Sequence, residues 1–165
     1  MEKVIGFHNP DEEYGFLSNW YLSEFSIDGL VFSSMEQYMM YKKAELFRDQ
    51  EIGKRILNTQ NVGEIKALGR QVKNYSDIIW NGRRQIIVYR GLLEKFSQNE
   101  DLRKKLLDTG ESILAECAVQ DRIWGIGLSM KDERRFRIEQ WKGQNLLGFA
   151  LMEVRKSNSQ GNVES

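Results

Sequence analysis

Phe25-Ser26-Ile27-Asp28-Gly29-Leu30-Val31-Phe32-Ser33-Ser34-Met35-Glu36 carries the two signals from which the fold is read. Asp28-Gly29 stands between two runs of apolar and aromatic residues. A two-residue type I′ turn needs positive φ angles that Asp and Gly tolerate, so the stretch predicts a tight β-hairpin. Directly after it, Ser33-Ser34-Met35-Glu36 fits the S-x-x-E capping box, and Met35, Tyr38, Met39, Leu46 and Phe47 follow at helical spacing. A helix from about Ser34 to Phe47 is predicted, so strand gives way to helix within a few residues.

Upstream, Val4-Ile5-Gly6-Phe7 reads as a further strand, and Tyr14 to Trp20 as an irregular loop rich in aromatic residues. Downstream, helical patterns cover Glu51 to Leu57, Val62 to Arg70, Trp80 to Phe96 and Glu100 to Leu107, the last ended by Thr109-Gly110. Ile113 to Val119 is rich enough in β-formers for a central strand. Gln120 to Gly143 reads as a long loop of the kind that carries function. Asn145 to Arg155 forms a last helix with a wide apolar stripe, and the polar tail from Lys156 is expected to fray. Strands near both ends with helices between them predict an α+β fold. The expectation is a single domain, residues 1–156, with helices packed around a small sheet and the Asp-Gly hairpin near its N-terminus; residues 157–165 form a flexible polar tail.

The 165 residues hold 24 Lys and Arg against 24 Asp and Glu, so the formal charge is zero. That balance excludes a general nucleic-acid binder, which needs an excess of basic residues, but leaves room for a local basic cleft. The one cysteine, Cys117, lies in an apolar run and is expected to be a buried, reduced thiol. No apolar stretch has membrane-spanning length, and Met1-Glu2-Lys3-Val4 does not begin a signal peptide. A soluble, cytoplasmic protein is expected.

Missing residues exclude several chemistries. With one histidine, His8, and one cysteine, no usual zinc site is available, and a Cys-His catalytic pair has no redundancy. Gly125-Ile126-Gly127 lacks the third glycine of a dinucleotide fingerprint, and no P-loop Gly-Lys-Ser/Thr occurs. Carboxylate, lysine, arginine and tryptophan chemistry remains. On the predicted Ser34 to Phe47 helix, Glu36 and Lys43 are seven residues apart, two turns, and so share a face with Met39 and Met40 between them. They could be a cleft acid and a desolvated nucleophile, or a capping-box glutamate and a solvated lysine. Asp121 precedes Trp124-Gly125. It is either an Asx-type turn closing the strand or a second carboxylate at a glycosidic carbon. Trp20, Trp80, Trp124 and Trp141 each stand beside Asn, Gly or another polar residue, contexts in which an indole can present its face to a nucleobase as well as pack in a core. Arg70, at the end of a helical stretch, could hold a phosphate, whereas Arg83-Arg84 and Arg134-Arg135 read as solvated faces.

Phe16-Leu17-Ser18-Asn19-Trp20, Ser34-Met35-Glu36-Gln37-Tyr38-Met39-Met40 with Lys43, Leu68-Gly69-Arg70, Trp80, Asp121-Arg122-Ile123-Trp124-Gly125-Ile126-Gly127 and Trp141-Lys142-Gly143-Gln144-Asn145-Leu146-Leu147-Gly148 together resemble the NADAR family over Ile5 to Arg155. The resemblance implies an N-glycosidase that cleaves a C–N bond in phosphoribosylamino-pyrimidine intermediates of riboflavin synthesis or in ADP-ribosylated guanine. It implies that Glu36, Lys43, Trp80 and Asp121 match functional positions. Asn19, Trp20, Arg70, Trp124 and Gly125 are then expected to line the ligand site. Some members carry His and Gln where this chain has Gln37 and Met40, and Asp where it has Ile126, which leaves the choice of substrate open. No cofactor or metal is implied. The partner expected is a small ribosyl or nucleotide substrate, with modified nucleic acid as a second class and no membrane. The competing reading is a non-catalytic module that binds ADP-ribose or a related nucleotide.

Overall fold

The computed structural model describes residues 3–161. Contacts group the chain into two compact units, one formed by Leu22–Asn99 and the other by the segments before and after it.

In the middle unit, β2 (Leu22–Ile27) and β3 (Leu30–Ser34) pair antiparallel, with Phe25 opposite Phe32. Asp28 (φ 52°) and Gly29 (φ 80°) form the two-residue turn between them, both in the left-handed region that type I′ geometry requires. Phe25 and Phe32 face inward and meet Tyr38, with ring centroids 5.9 and 5.2 Å away. The helix α1 (Met35–Leu46) follows β3 directly. Its first six residues are all buried, because α1 packs against β3, α2 (Gln50–Leu57), α3 (Val62–Gly69) and α4 (Asp77–Gln98). A helix with neighbours on most sides needs no single apolar stripe. Asp49 fastens the turn after α1, with Oδ1 accepting from the Ile52 N–H that opens α2 and Oδ2 accepting from the Lys73 N–H beyond α3.

In the other unit, β1 (Val4–Phe7) pairs parallel with β4 (Ile113–Glu116), Phe7 standing opposite Glu116. The strand predicted to reach Val119 stops at Glu116. Its partner ends at Phe7, and beyond Cys117, whose N–H still donates to the Phe7 carbonyl, the chain turns away. Helices α5 (Glu100–Asp108) and α6 (Leu146–Gly161) pack together, and α6 lies on β4. The outer edge of β4 is closed by a side chain: Asn145 Oδ1 accepts from the Glu116 N–H, and its Nδ2 donates to the Leu114 carbonyl. An unpaired strand edge costs free energy when buried, and the fully buried Asn145 amide supplies the missing partners.

The segment predicted as a long loop, Gln120 to Gly143, contains two short 3-10 turns, Glu133–Phe136 and Ile138–Gln140. Trp141, within the same segment, donates from Nε1 to the Arg135 carbonyl and packs on Phe149. The tail expected to fray from residue 157 is helical as far as Gly161; residues 162–165 lie outside the described residues.

Candidate functional site

The candidate residues fall into two groups, one in each unit. In the middle unit the first question is what Glu36 does. The capping box was expected to run from Ser33 to Glu36, but Ser34 is still extended (φ −158°, ψ 162°) as the last residue of β3, and it is Ser34 that caps the helix. Its Oγ accepts from the Gln37 N–H. Gln37 therefore takes the reciprocal role: its Oε1 accepts from the Ser33 N–H at 2.7 Å, while Nε2 donates to the Ile56 and Thr59 carbonyls. The cap leaves Glu36 to other work, although its side chain is only 5% exposed.

Lys43, two turns along α1, is half-buried, and its Nζ donates to the Gly69 carbonyl at 2.7 Å. The same Nζ lies 4.6 Å from the Tyr75 ring centroid and 6.0 Å from that of Trp80. Burial pulls its pKa below the ordinary lysine value and the nearby Arg70 charge adds to this, while Glu36 and Asp77 oppose it. Desolvation and a neighbouring cation both raise the fraction of neutral amine, the nucleophilic form. Gly69 permits the arrangement, because a Cβ there would collide with the Met40 side chain that lies against α3. Trp80 is 7% exposed and walls the amine, Tyr75 is 42% exposed, and Arg70 caps α3 with its side chain in solvent. Glu36, Lys43, Arg70 and Trp80 thus belong to one cluster, which also holds Tyr75 and Asp77. Sequence reading missed those two because they lie just before the periodic part of α4, in a segment with no apolar pattern of its own.

In the other unit the structure makes the Asx turn at Asp121. Its Oδ1 accepts from the Ile123 and Trp124 N–H groups at 2.9 and 2.8 Å, leaving Oδ2 out of the turn. The turn is fixed from outside as well. Carbonyls of Arg122, Ile123, Trp124 and Gly125 accept from the N–H groups of Gln144, Leu146, Leu147 and Asn145. The orphan donors that open α6 are thereby satisfied by the Asp121 loop. Gly125 and Gly143 are close-approach positions: a Cβ on Gly143 would strike the Gly125 carbonyl, and one on Gly125 would come within 2.8 Å of the Glu116 carbonyl. Asn19 is buried with its Oδ1 unpartnered among the described residues, while Trp20 is exposed.

Glu116 and His8 were not singled out as site residues, yet His8 Nδ1 stands 3.4 Å from Glu116 Oε1. The signal was one acidic residue within the apolar run Ile113 to Val119. Among the described residues no group of three His, Cys, Asp or Glu side chains is placed to hold a metal ion.

A family model described as "NADAR domain" matches residues 6–157. An N-glycosidase of Acanthamoeba polyphaga mimivirus is 38% identical, over 96% of this chain and 98% of its own. A riboflavin biosynthesis protein of Vibrio vulnificus is 31% identical over 94% of this chain and 39% of its own. The NMR structure of Escherichia coli YbiA, a protein named N-glycosidase, superposes with a TM-score of 0.83 at 26% identity, covering 99% of this chain and 89% of that one.

Proposed function

The chain belongs to the NADAR family and is an N-glycosidase; we propose that it hydrolyses the bond between C1 of a ribosyl phosphate or ADP-ribosyl group and the nitrogen of a base, using the cluster on α1, α3 and α4. The observation that carries this reading is Lys43, a desolvated amine held at the Gly69 carbonyl beside two aromatic rings, on the helix that bears the buried Glu36.

As the base departs with the bonding electron pair and takes up a proton, positive charge develops at the ribosyl carbon, and ionised Glu36 stabilises it. Asp121 is proposed as the alternative to Glu36 for this charge-stabilising role. In a second route, the base is still attached when the neutral Lys43 amine adds to C1 of the ring-opened sugar; the C–N bond to the base then breaks, the base leaves with a proton, and water hydrolyses the resulting Schiff base, restoring the amine and releasing the sugar. The net change is one water added across the C–N bond. Trp80 and Tyr75 supply aromatic faces, Tyr75 being the one open to an incoming base, and Arg70 binds a phosphate. Asn19, Trp20, Trp124 and Gly125 are proposed to bind substrate.

Two substrates support this reading chemically, a phosphoribosylamino-pyrimidine and ADP-ribosylated guanosine. Both are offered to the wild type and to Glu36→Ala, and released base is read by mass spectrometry. Base released by the wild type and lost in the variant supports the assignment and selects the substrate. Tight binding of ADP-ribose without release of base from either compound would support a binding module instead.

A further inference from the structure

We propose that the open edge of β1 binds an extended peptide segment of a partner protein, one that carries alternating apolar and basic side chains and joins the sheet as a third strand. None of the residues involved belongs to the cluster proposed for glycoside hydrolysis.

The two edges of the β1 and β4 pair are finished differently. Asn145 closes the outer edge of β4 with its side-chain amide. On β1, the Lys3 and Phe7 carbonyls accept from the Ile113 and Cys117 N–H groups, both at 2.8 Å, so Lys3, Ile5 and Phe7 turn their backbone groups toward β4. Strand alternation directs the N–H and C=O groups of Val4 and Gly6 the other way. Among the described residues no strand pairs with that side, and no hydrogen bond reaches these four groups. Such an edge is a template for another strand.

The open edge is recessed. It runs along a cavity of about 290 Å³ lined by Lys3 to Gly6, by Glu12, Glu13 and Tyr14, and by Met130, Arg135 and Phe136. A Cβ on Gly6 would lie 2.9 Å from Cys117 Sγ and 3.1 Å from Met130 Sδ. The glycine therefore lets Met130 rest against the face of the strand while the edge beside it stays open. A folded second copy would have to bring an equally recessed β1 against this one, whereas a single extended segment fits the recess. Lys3 to Gly6 span about 10 Å at the rise of a strand, the reach of about four residues. Main-chain bonds to Val4 and Gly6 supply the affinity of such a segment, and its alternating side chains supply the selectivity.

Charge decides which side chains those are. Glu12 and Glu13 are adjacent and exposed, and neither forms a salt bridge among the described residues. The positive groups come from separate segments. Lys3 stands before the strand, and Arg135 is held beside Phe136, with Nη1 donating to the Asp132 carbonyl at 3.0 Å and the guanidinium carbon 3.9 Å from the Phe136 ring centroid. Basic side chains on the incoming segment meet Glu12 and Glu13, while apolar ones meet Met130 and the 46% exposed Phe136.

Two capped pentapeptides serve as probes, one alternating valine with lysine and the other valine with glutamate, each added to the nitrogen-15-labelled full chain. With the lysine peptide at saturation, hydrogen exchange at the Val4 and Gly6 amides should slow by about tenfold, the scale of one added hydrogen bond, while the Ile5 and Phe7 amides, which face β4, change little. That alternation marks strand addition; a peptide that adhered to the surface or stabilised the whole unit would not produce it. The glutamate peptide should bind about tenfold more weakly, and a double variant with Glu12→Gln and Glu13→Gln should lose the preference. Both glutamates are exposed, so the variant is expected to fold. Exchange at Val4 and Gly6 that neither peptide slows would overturn the proposal. Equal affinity of the wild type for the two peptides would refute a basic partner. Slowing at Val4 and Gly6 that appears with protein concentration alone, together with a dimer in sedimentation, would assign the edge to a second copy and overturn it as well.

Discussion

Lys43 Nζ donates to the carbonyl of Gly69, the last residue of α3, at 2.7 Å. A helix C-terminus attracts a cation through its unpaired carbonyls, whereas burial repels one. The net shift of Lys43 is downward, so burial outweighs the attraction. The carbonyl orients the amine while its surroundings favour the neutral form.

Lys43→Arg keeps a charge and a donor for Gly69 but removes the nucleophile. Turnover is expected to fall by about a hundredfold or more on the scale of a lost covalent route. Borohydride added during turnover should trap a ribosyl adduct on wild-type Lys43 and none on the variant. Near wild-type turnover in Lys43→Arg would refute the Schiff base and leave a carboxylate route.

Glu36 and Gln37 are adjacent on α1, and their substitutions should separate function from stability. Glu36→Gln leaves the cap intact, so folding stability should change little while activity falls by about two orders of magnitude or more. It also removes a charge that raises the Lys43 pKa, so the amine should titrate at lower pH in amine-labelling measurements. Gln37→Ala loses the bonds to Ser33, Ile56 and Thr59, and should cost about 2 to 4 kcal/mol in urea denaturation on the scale of buried donors and acceptors left unpaired.

Asp49 gives the middle unit a pH dependence. Hydrogen bonds from the Lys73 and then the Ile52 N–H hold its carboxyl below the usual carboxylate range. A depressed pKa in the folded state means that stability is fully present above the ordinary Asp value and is lost as the pH falls through the folded one. The urea midpoint should therefore drop as the pH falls below the ordinary Asp value and through the lower folded one, and Asp49→Asn should flatten that drop. An equally steep drop in the variant would show that other groups carry it.

Asn145→Ala removes both side-chain partners from the β4 edge, the acceptor for the Glu116 N–H and the donor to the Leu114 carbonyl. Asn145 also sits at φ 53°, a conformation Ala adopts less readily. A loss of about 2 to 4 kcal/mol is expected from buried backbone groups left unpaired. Hydrogen exchange should quicken at the Glu116 amide before it does at the hairpin.

The Asp-Gly turn, the strand at Val4–Phe7 and each predicted helix were legible in the sequence because their causes are local: turn residues that accept positive φ, capping residues, and apolar positions at helical spacing. The seven-residue spacing of Glu36 and Lys43 likewise follows from one helix. The cap was misread by one residue because β3 extends through Ser34, and pairing with Leu22 across the hairpin decides that. The end of β4 depends on where β1 ends, more than a hundred residues away, and no pattern within Ile113 to Val119 contains it. Asp121 could be read as turn former or as functional carboxylate, and hydrogen bonds to Ile123 and Trp124 show that it makes the turn. The desolvation of Lys43 by Tyr75 and Trp80, and the meeting of His8 with Glu116, required the chain to be packed. By itself the sequence determined which residues form helices, the hairpin and the first strand, because those preferences lie within a few neighbouring residues; tertiary structure alone decided which ionisable groups lost water and which charges faced each other, because burial and charge proximity are properties of segments brought together from distant parts of the chain.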